Sequence, residues 1–166
     1  MDFKTYLIQE LNKNVGFVST TLSDWTDADL FVRPCPGANH ADWQLGHLIS
    51  AEAGVQKELA PTKAVSLPPG FTDLFKMECN KHDDPAKFAP FNTKAKLLDL
   101  FTKVRGGTVA WIESLSPAEL DSPTPEKYKA WAANLGTLAS GQIQHTMMHV
   151  GQFQVIRRKL GKPILF

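Results

Sequence analysis

Apolar residues recur every three or four positions in four segments of the chain, which is the periodicity of amphipathic helices. The predicted helices span about residues 3–22, 40–59, 93–115 and 135–160. The first predicted helix is the clearest, because its apolar residues form one stripe: Phe3, Leu7, Leu11, Val15, Val18 and Leu22. No segment alternates apolar and polar residues between tight turns, so no sheet is predicted. The pattern therefore indicates an all-α protein.

The lengths of these helices and of the segment between the second and third predict a four-helix bundle. A helix of about 20 residues extends roughly 30 Å, which suits such a bundle. The proline-rich segment 60–92 is much longer than an ordinary loop. It can cross the whole bundle, so the second and third helices are expected to run parallel. A short helical turn is predicted within it, near residues 73–79.

Two local features refine the helix predictions. Asn39 is the expected N-cap of the second helix, because its side-chain oxygen can accept a hydrogen bond from a free amide of the first turn. Gly106 and Gly107 lie inside the third helix, where each glycine costs about 1 kcal/mol relative to alanine. The glycine pair therefore predicts either a kink or a close contact with a neighbouring helix.

The composition fits one domain over residues 1–166 and argues against several classes of protein. Hydrophobic residues make up 43% of the chain, which is enough for a packed core. The net charge of +1 does not support nucleic-acid binding. No stretch approaches the roughly 20 apolar residues of a membrane span, and the first ten residues are too polar for a signal peptide. Two cysteines, Cys35 and Cys79, make no disulfide framework, so the expected location is the cytoplasm.

Four polar residues occupy the core-facing stripe of the fourth predicted helix: Gln142, His145, His149 and Gln152. Burying imidazoles and amides without partners costs on the order of 1–3 kcal/mol each, so these positions indicate a function. Two imidazoles four residues apart on a helix can bind one metal ion. Alternatively, they only form hydrogen bonds, and the spacing alone favours neither interpretation. The glutamines are candidates to orient the imidazoles or to bond neighbouring helices.

The remaining histidines and two other groups of side chains complete the set of candidates. His47 is the candidate for a third ligand, because its place at the edge of an apolar stripe permits it to face the core. His40 and His82 are expected on the surface, next to a helix cap and in a charged segment. Glu52 is expected to be partly exposed. The tryptophans expected to pack in the core or against loops are Trp25, Trp43 and Trp131.

Together, the two histidine motifs resemble those of the DinB/YfiT-like superfamily. They are Trp43-x-x-Gly46-His47-Leu48 and, about a hundred residues later, His145-x-x-x-His149-x-Gly151-Gln152. The resemblance covers nearly the whole chain, because it includes the helix order and the long crossover. It implies a four-helix bundle of up-down-down-up topology, which is often dimeric, so a homodimer is expected. It also implies a divalent metal ion held by His47, His145 and His149.

The same resemblance implies a function. Relatives include thiol-dependent S-transferases and isomerases, so the expected activity is that of a metal-dependent transferase or hydrolase of small molecules, with a low-molecular-weight thiol as co-substrate. Three imidazoles leave a coordination position open on Zn²⁺, and nickel, manganese and iron are alternative metals. The competing interpretation is a non-catalytic stress-response or interaction protein with a structural or vestigial metal site. Many members have a histidine where this chain has Gly141, so the catalytic residues and the substrate stay unassigned.

Overall fold

The computed structural model describes residues 1–165 and is built from four long helices joined by loops and short helical turns. In chain order the helices are α1 (Phe3–Leu22), α2 (Ala41–Leu59), α3 (Phe71–Leu74), α4 (Lys94–Ser114), α5 (Pro117–Leu120) and α6 (Leu135–Lys159). Residues 1–165 contain no strand, and their one β-type contact is an isolated bridge between Pro123 and Asn134. None of the helices in this range has the length and apolarity to cross a membrane. The all-α prediction is confirmed, as are the four long helices.

The core is divided along the helices by a layer of polar side chains. Helices α1 and α2 both pack against α4 and α6. One buried apolar cluster contains Val18 and Phe153, and a second contains Leu11 and Trp111. On α1, the buried Asn14 lies between Leu11 and Val18, and the other long helices also contribute buried polar residues at mid-length. This polar layer therefore contains buried polar side chains of all four long helices.

His40, not Asn39, is the N-cap of α2. The Nδ1 atom of His40 accepts a hydrogen bond from the backbone N–H of Trp43 at 3.1 Å, so the ring proton is on Nε2, which donates to the carbonyl of His82 at 2.9 Å. Burial lowers the pKa of His40 to about 4. The prediction that His40 lies on the surface is therefore wrong. The residue is buried, and its ring connects the crossover to the start of α2 by hydrogen bonds. His82 itself is exposed, as predicted.

The crossover 60–92 packs on α2 beside the predicted metal ligand. It contains α3 and a 3₁₀ helix, Met77–Lys81, close to the turn predicted near residues 73–79. A Cβ atom placed on Gly46 would lie 2.2 Å from the ring of Phe75, which is buried. Glycine at position 46 therefore allows the crossover to approach α2 one residue before His47.

Candidate metal centre

The three predicted histidine ligands meet between α2 and α6. His47 comes from α2 and His145 and His149 from α6, and one ring nitrogen of each lies within 4.8 Å of the other two. The Nε2 atoms of His145 and His149 are 3.2 Å apart. Two nitrogen ligands of a tetrahedral zinc ion would be about 3.3 Å apart, given Zn–N bonds of about 2.0–2.1 Å. The His145–His149 pair therefore has the spacing of two ligands of one ion, and the three imidazoles together could hold a divalent cation.

Gln44 fixes which nitrogen of His149 is free. The Nε2 amide of Gln44 donates to the carbonyl of Asn39 at 2.6 Å, so the Gln44 Oε1 atom faces His149, 2.8 Å from Nδ1. Because Oε1 can only accept, Nδ1 of His149 carries the proton and donates. The lone pair is then on Nε2, the atom that faces His145. Metal-binding histidines typically use a partner of this kind to set the tautomer and the ring orientation.

Trp43 sets the orientation of the His47 ring. The two rings stack with their centroids 4.9 Å apart and an angle of 8° between their planes. The indole is buried, and its N–H donates to the carbonyl of Lys76 in the crossover at 3.0 Å. Trp43 lies one helical turn before His47, so the helix holds both rings on the same face. The prediction that Trp43 packs in the core is confirmed.

Burial keeps the three imidazoles in the neutral form that binds metals. The pKa of His149 is lowered to about 3 and that of His145 to about 4. Burial is the largest cause of both shifts, and the neighbouring histidines contribute to each. Burial also lowers the pKa of His47. A protonated imidazole has no lone pair to donate, so a site with depressed pKa values is ready for a cation at pH 7.

A cavity of about 1070 Å³ lies beside the cluster, and its wall includes His47 and His145. The rest of the wall comes from α2, from α6 and from the loop between α5 and α6, which contributes Tyr128 and Trp131. The prediction that Trp131 packs in the core or against a loop is wrong, since this residue is 80% exposed. A molecule entering the cavity can therefore reach two of the three imidazoles.

Glu52 does not contact the imidazoles and is not partly exposed, contrary to the prediction. It is 2% exposed and pairs with Nη2 of Arg105 at 2.9 Å. The Thr108 hydroxyl donates to Glu52 at 2.6 Å, and Arg105 Nη2 also donates to the hydroxyl of Thr146 at 2.8 Å. We call this group of buried side chains the Arg105–Glu52 network, which consists of Asn14, Glu52, Gln56, Arg105, Thr108 and Thr146.

Sequence reasoning missed Gln44 and Arg105, although the helical spacing contained a signal for each. Gln44 lies three residues before His47, on the same face of α2. Arg105 lies four residues after Phe101 and three before Thr108, on the apolar stripe of α4. Of the two glutamines predicted on α6, Gln142 lines the cavity.

Comparison with known proteins supports the resemblance suggested by the histidine motifs. The profile of the DinB superfamily matches residues 18–153. A solved structure of a conserved protein from Enterococcus faecalis is similar with a TM-score of 0.65, covering 98% of this chain and 99% of that chain at 17% sequence identity. At this identity the similarity shows a shared fold. No curated protein matches the chain. On the profile match, which covers most of its length, the chain belongs to the DinB superfamily.

Proposed function

We propose that the protein is a divalent-metal-dependent enzyme acting on small molecules, of thiol S-transferase or hydrolase type. In this proposal His47, His145 and His149 hold the metal ion. The observation that carries it is the meeting of three imidazoles, each able to offer a nitrogen, at the wall of a cavity. Catalytic zinc sites typically have three protein ligands and keep a further position for a reactant. Zinc is our first candidate, with nickel, manganese and iron as alternatives.

The residues around the cluster support this chemistry by preparing the site before a reactant arrives. A bound divalent ion supplies Lewis acidity, which lowers the pKa of a bound water or thiol. Gln44 keeps the Nε2 lone pair of His149 available, and Trp43 holds the plane of His47. The cavity gives reactants access to His47 and His145. Such preorganisation reduces the rearrangement that binding would otherwise require.

The proposal includes the up-down-down-up order of the long helices, which contacts near the helix ends support. Arg157 near the end of α6 pairs with Asp24 just after α1, so these helices run in the same direction. Lys4 at the start of α1 donates to the carbonyl of Leu115 after α4, so α1 and α4 run in opposite directions. The hydrogen bond between Gln44 and His149 joins the start of α2 to the second half of α6, which supports an antiparallel arrangement of α2 and α6.

Metal titration tests the proposal directly. We expect the chelator-treated chain to bind one Zn²⁺ ion, and the double variant His145→Ala/His149→Ala to lose that binding, as measured by calorimetry and elemental analysis. His82→Ala, which removes an exposed histidine outside the cluster, is the control and should bind as the wild type does. An unchanged metal content in the double variant would contradict the ligand assignment.

Thermal melting distinguishes the enzyme from the competing non-catalytic role. A structural metal contributes directly to the free energy of folding, so chelation would lower the melting temperature sharply. We expect a smaller shift, because buried helix packing forms the core without the ion. Collapse of the fold on chelation would favour the structural role. The homodimer and the cytoplasmic location stay predictions.

A further inference from the structure

We propose that the cavity beside the three histidines binds an uncharged aromatic or apolar group of the substrate against the indole of Trp131. Gly54 and Gly141 give this group the room that it needs. The inference names a substrate class for the proposed enzyme and rests on that proposed function. It is carried by the charge of the cavity wall, by the way in which Trp131 is held, and by the two glycines.

The described cavity wall offers an anionic ligand no free cationic side chain. Apart from the two histidines, Lys127 is the one basic residue among the described lining residues. Its ammonium group pairs with Glu58 and lies 4.8 Å from the centre of the Tyr128 ring. Much of the remaining wall is apolar: Ala51, Val55, Ala132, Leu138 and Met148. A carboxylate or phosphate would lose water there without a free cationic side chain to pair with, whereas an apolar group gains from leaving water.

Trp131 is exposed, although hydrogen bonds hold the loop in which it lies. Tyr128 is buried, and its hydroxyl donates to Glu58 at 3.0 Å. The backbone N–H of Trp131 donates to the Tyr128 carbonyl at 2.8 Å, and the Thr124 hydroxyl donates to the carbonyl of Ala132 at 2.6 Å. These bonds hold the backbone of the loop, so Trp131 stays at the cavity wall. A large exposed indole at such a place is typical of a binding surface, because aromatic rings pair favourably with it.

Gly54 and Gly141 widen the cavity on two sides. Both line it, and a Cβ atom built on either would meet no atom within 4 Å. Glycine is unfavourable inside a helix, so its presence at these two positions needs another explanation. We infer that the absence of a side chain leaves space in the cavity. The volume of about 1070 Å³ is at the top of the roughly 300–1,000 Å³ range of small-molecule sites. It can therefore hold a small reactant at the histidines together with a second, apolar one.

Binding of two matched probes tests the inference: 2-naphthalenemethanol, which is uncharged, and 2-naphthoate, which carries a carboxylate. We expect the chelator-treated chain to bind the alcohol at least about tenfold more tightly in equilibrium dialysis, because without the metal ion the carboxylate would lose water without a cationic group to pair with. Trp131→Ala should weaken binding of the alcohol about tenfold, and Trp131→Phe should restore most of it. Gly141→Leu should weaken binding of the alcohol about tenfold, because the leucine side chain would occupy part of the cavity.

Gly106→Leu is the matched control for Gly141→Leu. Gly106 lies in the middle of α4, is exposed, and has no atom within 4 Å of a built Cβ, so this variant should bind the alcohol normally. Equal binding of both probes would overturn the inference. So would normal binding in both Trp131→Ala and Gly141→Leu.

Measurements before and after chelation separate this inference from the proposed function. Binding of the alcohol that depends on Trp131 and Gly141, in a chain that takes up no metal, would support the apolar site and contradict the metal enzyme. Normal metal uptake without binding of the alcohol would contradict the apolar site alone.

Discussion

The histidine cluster and the Arg105–Glu52 network are both polar and both include residues of α2 and α6, but the network is fully buried, whereas His47 and His145 of the cluster are only partly buried. In the network, one carboxylate interacts with the Arg105 guanidinium and with the Thr108 hydroxyl. In the cluster, Gln44 occupies one nitrogen of His149, while nitrogens of all three rings converge. The cavity reaches the cluster, and the network lies in the interior. The network therefore connects helices, whereas the cluster has the open access that the proposed metal site requires.

The two groups should respond differently when one of their side chains is removed. A buried ion pair contributes little net stability, but removing one partner leaves an uncompensated charge in the interior. Neutral imidazoles at a cavity can be rehydrated when a neighbour is lost. We therefore expect changes in the network to act on stability and changes around the cluster to act on metal binding.

The largest predicted effect is on the network. Glu52→Ala should lower the free energy of unfolding by about 3–5 kcal/mol, because Arg105 would stay buried without its counter-charge. Urea denaturation followed by circular dichroism measures this loss. The double variant Glu52→Leu/Arg105→Met should recover most of it, because apolar side chains of similar size replace both charges. A stable Glu52→Ala variant with weakened metal binding would reverse the assignment of the two groups.

A smaller effect is predicted at the hydrogen bond that orients His149. Gln44→Ala should weaken metal binding about 10- to 100-fold, because the partner that sets the tautomer of His149 is lost. Calorimetric titration with Zn²⁺ measures the change. Gln142→Ala removes a glutamine that lines the cavity instead, and it should bind the ion normally. Equal losses in the two variants would show that Gln44 has no special role in orienting the ring.

The sequence predicted the long helices well because their patterns are local. The bounds of α1 agree with the prediction at both ends, and α6 begins at the predicted residue. His145 and His149 could be paired from their spacing on one helix alone. Placing His47 beside them also needed the resemblance to a known superfamily, since the two motifs are about a hundred residues apart.

The errors concern side chains whose partners are distant along the chain. His40 is buried because its ring bonds to the carbonyl of His82, 42 residues away, and no local pattern indicates this contact. Glu52 is buried because Arg105 comes from another helix. Trp131 is exposed because it lies at a cavity, against the general preference of tryptophan for the interior. For His40 and Glu52, tertiary contacts override the expectation for the residue type.

The smallest predicted effect concerns the glycine pair in α4, for which the sequence allowed either a kink or a close helix contact. Helix α4 runs without interruption from Lys94 to Ser114. A Cβ atom on Gly107 would lie 2.9 Å from Oε1 of Gln56 and 2.9 Å from the backbone carbonyl oxygen of Lys63, whereas one on Gly106 would meet nothing within 4 Å. The pair therefore marks a close contact and not a kink. Gln56 belongs to the Arg105–Glu52 network and donates to Thr108 at 2.8 Å, so it cannot move away without losing that bond.

Alanine at these two positions should shift stability in opposite directions. Gly106→Ala should raise the free energy of unfolding by about 1 kcal/mol, the difference in helix propensity. At Gly107 the same gain is opposed by an overpacking cost of about 1–3 kcal/mol, so Gly107→Ala should lower it by about 1 kcal/mol. The midpoints of urea denaturation measure both changes. If both variants were stabilised, Gln56 and the backbone at Lys63 would be able to move away from the new methyl group, and the close contact at Gly107 would not restrict this position.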